Sequence, residues 1–273
     1  MSGLVRHCAI IALTLVLVSC GTTRDLLQGP SAPSQPAAPQ PAPVAHTPEA
    51  SPQQRARLHT ELAAGYYQRG QMDVALQELD EAVKLDPDNG RAYNVYGLVY
   101  AMLGEDAKAQ ESFQRALALA PQDSEIHQNW GWFLCTRGKA RESLPEFEAA
   151  VRNPLYRTPE IALVNAGRCA ASLGDDKAAE SYYRRALSAA PNDANAAFGL
   201  AQLAYKGAHL DEARSWLRRA VTGPNPPAQA LYLGMCIERR AGDRQSELSY
   251  ASQLRNRYPE APETKAIATG KCE

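Results

Sequence analysis

A period of 34 residues constrains this chain more than any other feature, because it fixes where large, small and helix-ending residues recur. With Gly90 as the first place of one copy, Tyr93 stands fourth, Tyr96 and Gly97 seventh and eighth, and Tyr100 eleventh. Ala109, Phe113 and Ala116 follow at places 20, 24 and 27, with Pro121 at 32. Each half of the unit carries apolar residues at helical spacing, and Gly104-Glu105-Asp106 between the halves reads as a turn, so the unit is predicted to be two antiparallel helices. Where two helices cross closely one side chain has to be nearly absent, which sets Gly97 against Ala109 and leaves Phe113 and the tyrosines to fill the splayed ends. Pro121 ends the second helix, since proline has no N–H to donate and clashes with the preceding turn.

The same places recur over 56–89, 90–123, 124–157, 160–193, 194–227 and 228–261, with two residues inserted before the fourth copy. The pattern resembles the tetratricopeptide repeat (TPR). That resemblance implies an all-α fold, a right-handed α-solenoid of about six TPR hairpins over 53–261, followed by a tail at 262–273 with no strong pattern. The sixth copy is degenerate: Met235 and Glu247 stand where two small residues belong, so it reads as a capping pair of helices without an outer neighbour. Pro145 is predicted to kink the second helix of the third copy or to mark a late start, and 153–159, with Pro154 and Pro159, reads as a rigid elbow.

Ahead of the repeats, Arg6, an apolar run from Ala9 to Val18 and the sequence Leu17-Val18-Ser19-Cys20 make a secretory signal over 1–19, too short in its apolar part to span a bilayer. Leu-Val-Ser-Cys resembles the bacterial lipobox, which implies that Cys20 becomes the lipidated first residue of the mature chain. Gly21 rather than Asp in the next place implies the outer membrane, with the protein on its periplasmic face. Residues 20–52 form a Pro/Ala-rich, disordered linker, with prolines at 30, 33, 36, 39, 41, 43, 48 and 52; extended at about 3.1 Å per residue, it would reach ~100 Å.

Little in the composition points to catalysis. Loss of residues 1–19 removes Arg6 and leaves 28 Lys and Arg against 30 Asp and Glu, a net charge of −2, with no basic stripe for nucleic acid. The mature histidines, His46, His59, His127 and His209, stand singly, with no Cys-x-x-Cys and no phosphate loop, so no metal, cofactor or small-molecule substrate is expected. A Cys135 nucleophile with His127 as base fails on distance, since eight residues of helix separate them by about 12 Å. In an oxidising compartment Cys272 could reach back to Cys236 on the sixth hairpin; four free or buried thiols at Cys135, Cys169, Cys236 and Cys272 is an equally weighted reading.

The remaining candidate is a protein-binding groove. In TPR proteins places 2, 5, 9, 12 and 13 of each first helix line the inner face, which here assigns Arg57, Tyr67, Arg91, Asn94, Leu98, Met102, Gln128, Trp132, Arg168, Phe198, Gln202 and Tyr205 to it. Aromatics with scattered Arg and amides suit a protein surface. Trp132, Phe198 and Tyr205 read either as anchors for a partner or as packing between repeats. The Lys and Asn pair of the carboxylate clamp is absent. Asn129-Trp130-Gly131-Trp132-Phe133-Leu134-Cys135, Asn153-Pro154-Leu155-Tyr156 and Leu254-Arg255-Asn256-Arg257-Tyr258-Pro259, together with the lipobox, resemble the type IV pilus biogenesis lipoproteins of the PilF/PilW type. That resemblance implies a pilotin, a non-catalytic factor whose partner is the pilus secretin in the outer membrane. A general periplasmic TPR scaffold for other envelope machinery is the alternative.

Overall fold

The computed structural model describes residues 50–270 and Cys272; the signal segment, Cys20 and the linker as far as residue 49 lie outside the described residues. Among the described residues there are thirteen helices and no strand: α1 (Pro52–Gln68), α2 (Met72–Leu85), α3 (Gly90–Leu103), α4 (Asp106–Leu119), α5 (Ser124–Thr136), α6 (Ala140–Val151), α7 (Pro159–Ser172), α8 (Asp176–Ala189), α9 (Ala194–Lys206), α10 (Leu210–Ala220), α11 (Ala228–Ala241), α12 (Arg244–Arg257) and α13 (Pro262–Ile267). Successive helices pair as six antiparallel hairpins, each second helix packs on the next first helix, and α1, α3, α5, α7, α9 and α11 touch in series as an inner layer. This is a TPR solenoid. All six second helices start at the same place of their repeats, at Met72, Asp106, Ala140, Asp176, Leu210 and Arg244.

Local chemistry explains the phasing. The turn inside each hairpin needs one residue in the left-handed region, and Gly70, Gly104, Gly138, Gly174 and Gly242 supply it, with φ between 74° and 80°. In the fifth hairpin Ala208 holds that place at φ 61°. Between hairpins, Asn89, Asp123 and Asp193 cap the following helix by accepting a backbone N–H at 3.2, 2.9 and 2.6 Å. Prolines at 87, 121 and 191, each two residues past a helix end, forbid continuation.

The close crossing departs from the expectation that left Phe113 at the splayed ends of the hairpin. A Cβ on Gly97 would lie 2.7 Å from the ring of Phe113, so the glycine is the seat of the ring. The same arrangement sets Gly131 under Phe147 and Gly167 under Tyr183, with hypothetical Cβ distances of 2.9 and 2.6 Å. Phe113 and Phe147 are fully buried. In the sixth hairpin the small residue sits one place early: Gly234 lies under Tyr250, while Met235 is packed in the interior. Glu247, also buried, accepts from Arg239 Nε and Arg244 Nη1, both at 2.8 Å, and these bonds hold its carboxyl below its ordinary range. The degenerate crossing is thus a shifted one.

Two further expectations change. α6 starts at Ala140, so Pro145 does not mark a late start but lies inside the helix, where it is tolerated because both Pro145 and Arg141, whose carbonyl loses its helical donor, are exposed to water. The tail is ordered: α13 packs on α11 and α12, and Cys272 is bonded to Cys236. At the elbow, Asn153 Oδ1 accepts from the N–H of Leu155 at 2.9 Å, Tyr156 folds inward against the third and fourth hairpins, and Leu155 stands 85% exposed.

Candidate functional site

The predicted inner row divides into three stretches instead of forming one groove. At the N-terminal end Arg57 and Arg91 are exposed beside a hollow of about 610 Å³ that also holds Glu61, Asp86, Asp88 and Asp123. Arg91 is 3.4 Å from the carboxylate of Asp123, and the four carboxylates outnumber the two arginines, so this stretch is polar and acidic. Tyr67 is half-buried against the first core cluster, and burial raises its hydroxyl pKa.

In the middle, Asn94 leaves the candidate list. It is buried, and its Oδ1 accepts from Asn129 Nδ2 at 3.2 Å, so its polar groups join α3 to α5. Trp132 packs on the clusters of both the second-to-third and third-to-fourth hairpin joints, as the packing reading had it, and Leu98 is half-buried beside it. Gln128 is half-buried, whereas Met102 is 57% exposed at the end of α3. Arg168 is exposed and donates to Asn195 Oδ1 at 3.3 Å. Cys135 and Cys169 are disulfide-bonded, Cα to Cα 5.9 Å, joining α5 to α7 across the inserted elbow. That bond was missed from sequence, although both cysteines stand in the last turns of successive first helices, α5 and α7.

At the C-terminal end Phe198, Gln202 and Tyr205 do come together, in a cleft of about 530 Å³ with Gln229, Tyr232 and Leu233. Its outer wall is the tail, through Glu263 and Cys272. Tyr205 donates its hydroxyl to the Cys272 carbonyl at 3.2 Å, and Arg239 Nη1 donates to the Gly270 carbonyl at 2.8 Å.

A fourth surface lies outside the predicted set. α1 has no preceding hairpin among the described residues, and Leu58 and Leu62 are 55% and 49% exposed along its edge. With Tyr66 they border a largely apolar hollow of about 420 Å³ over Gly65, where a Cβ would meet nothing within 4 Å. A glycine inside a 17-residue helix weakens it by roughly 0.5–1 kcal/mol relative to alanine, and no contact within the body requires it. The sequence signal was available, since Leu58, Leu62 and Gly65 share one helical face that an end repeat cannot bury.

His127 shows how the hairpins are braced. Its Nδ1 lies 2.7 Å from Glu146 and its Nε2 3.1 Å from the Pro121 carbonyl, so both nitrogens face acceptors and only imidazolium satisfies both. The Glu146 hydrogen bond raises its pKa against the opposing effect of burial. Among the described residues no group of three His, Cys, Asp or Glu side chains is placed to hold a metal ion.

Two tetratricopeptide-repeat family models match the chain, one over residues 60–124 and 134–194, the other over 170–232. The crystal structure of PilW, described as a widely conserved type IV pilus biogenesis factor, superposes with a TM-score of 0.72 at 33% identity, covering 78% of this chain and 98% of PilW. The chain belongs to the PilF/PilW family of tetratricopeptide-repeat proteins. PilF of Pseudomonas aeruginosa, a type IV pilus assembly protein, is 26% identical over 201 residues, 74% of this chain and 80% of PilF. A solved PilF structure superposes with a TM-score of 0.72 at 25% identity, covering 81% of this chain and 99% of that one. Coverage this complete means that all six hairpins, not a shared pair of repeats, carry the PilF/PilW likeness.

Proposed function

We propose that this chain is a non-catalytic assembly factor of type IV pilus biogenesis, lipid-anchored at Cys20 on the periplasmic face of the outer membrane, which docks the pilus secretin and promotes its multimerisation. The observation that carries the reading is the near end-to-end match to PilW, a pilus biogenesis factor. Docking rather than chemistry is supported by the surfaces themselves: two hollows with aliphatic or aromatic walls open to solvent, at the α1 edge and at the C-terminal end of the inner face. Of these the α1 edge suits a secretin subunit best. Its exposed leucines flank a glycine notch that admits a second helix or strand at close range, and apolar anchors set in such notches commonly account for ~2 kcal/mol or more each. Two acyl chains on Cys20 would hold the body at the membrane, each buried methylene contributing about 0.8 kcal/mol.

The test pairs localisation with assembly. Cys20→Ala is expected to leave the outer-membrane fraction, and Leu58→Ala/Leu62→Ala is expected to fold normally yet lower secretin multimers and surface pili. Wild-type multimer and pilus levels in a stably expressed double variant would mean that the client is not a secretin, or that it docks elsewhere.

A further inference from the structure

The cleft at the C-terminal end of the inner face contains groups that packing does not explain. Glu263, contributed by α13 from outside the repeats, lines it together with Phe198, Tyr205 and Tyr232. Among the described residues the cations at the cleft are engaged: Lys206, which also lines it, with Asp176 at 2.7 Å, Arg239 with Glu247 at 2.8 Å, and Arg240 with the Tyr205 carbonyl at 3.2 Å. Glu263 has no ion pair or side-chain hydrogen bond among the described residues. An uncommitted carboxylate beside aromatic faces is a site for an organic cation: the carboxylate supplies a charge-assisted hydrogen bond and the rings an attractive face. Tyr205 already takes one guanidinium this way, with Arg240 5.5 Å from its ring centroid.

The rest of the cleft is suited to main chain. Gln202 and Gln229 expose amides that can donate to and accept from a peptide, while the hydroxyl of Tyr205 and the guanidinium of Arg239 are spent on the tail carbonyls of Cys272 and Gly270 and hold that wall in place. We infer that this cleft binds an extended protein segment bearing a lysine or arginine beside an apolar residue, and that the tail, fastened by the Cys236–Cys272 disulfide, is its permanent outer wall. The site goes beyond the proposed secretin contact at α1: it lies on the opposite end of the stack, and its occupant is defined by charge.

The oxidised full chain is titrated with two synthetic probes, acetyl-Ala-Phe-Lys-Phe-Ala-amide and the same peptide with Glu in place of Lys, with binding read by calorimetry and by tyrosine fluorescence. The lysine peptide is expected to bind about ten-fold tighter than the glutamate peptide, a preference that Glu263→Gln abolishes and Leu58→Ala leaves intact. Cys236→Ser/Cys272→Ser, which frees the wall, is expected to weaken the lysine peptide. Equal affinity for the two peptides, no binding of the lysine peptide, or an unchanged preference in Glu263→Gln overturns the inference. Tighter binding after release of the tail overturns it too, because the tail would then be a competitor and not a wall. Neither probe reports on secretin, so failure here leaves the pilus reading standing, and the reverse also holds.

Discussion

The turn of the fifth hairpin offers a perturbation whose size can be worked out in advance. Five of the six turns place glycine in the left-handed region, and the sixth places Ala208 there at φ 61°. An L-residue in that region is disfavoured by roughly 1–2 kcal/mol through the approach of Cβ to the following carbonyl. Glycine removes this strain but loses about 0.4–1 kcal/mol through its freer unfolded chain. The Ala208 side chain is exposed, so no packing is forfeited, and the net gain for Ala208→Gly is ~1 kcal/mol, or about 2–4 °C in melting temperature for a body of this size. The reciprocal change, Gly104→Ala, should destabilise by a similar amount, because a Cβ there meets nothing within 4 Å and only the backbone strain operates. Urea and thermal melts followed by circular dichroism measure both, and hydrogen exchange of the α9 and α10 amides shows whether the gain is local. If Ala208→Gly fails to stabilise while Gly104→Ala is neutral, the left-handed requirement is not what selects glycine at this place.

Other predictions follow from the packing and the charges. Gly167→Leu should unfold its hairpin, and Gly167→Ala should lower stability by ~1–3 kcal/mol in denaturant melts, since the added Cβ would stand 2.6 Å from the Tyr183 ring. The His127 pKa is raised in the folded state above its ordinary 6.5, so its contribution is fully present below that value and is lost as pH rises through the higher folded value. Melts across this range should show stability falling toward alkaline pH, and His127→Gln, which keeps a hydrogen-bonding group against Glu146 and Pro121 but cannot titrate, should flatten that slope; an unchanged slope refutes the assignment. The Cys135–Cys169 bond closes a loop of 34 residues and should contribute up to ~3–4 kcal/mol; Cys135→Ser with Cys169→Ser measures this, and free thiols at these positions in non-reducing peptide mapping would end the claim.

The repeat was legible because its determinants are local. Turn glycines, capping Asn and Asp residues and helix-ending prolines act within a few residues of themselves, so a fixed period phases all six hairpins. What escaped is set by contacts between elements. Phe113 over Gly97 and not beside it depends on the direction a side chain leaves its helix, which spacing alone does not give. The sixth hairpin seemed irregular only because Gly234 and Tyr250 are both displaced by one place, a compensated shift invisible to a template that scores each place separately. The division of the inner row had the same cause: Asn94 occupies a groove-lining place, but its amide partner Asn129 lies one repeat away, and the pair turns a candidate contact into a joint. The α1 edge needed no fold information beyond the start of the repeat array, because Leu58 and Leu62 lie outside the groove-lining places yet have no neighbouring hairpin among the described residues to cover them.

One of the buried rings serves two hairpins. Tyr183 belongs to the fourth, yet Gly199 of the fifth is seated on the same ring as Gly167, and burial pushes its hydroxyl up to about 12. Unravelling of either hairpin would uncover the ring for the other. In a linear array that ought to open one hairpin at a time from its ends, the fourth and fifth should therefore exchange their α7–α10 amides as a single cooperative block, and the array should fray up to that block without breaking inside it.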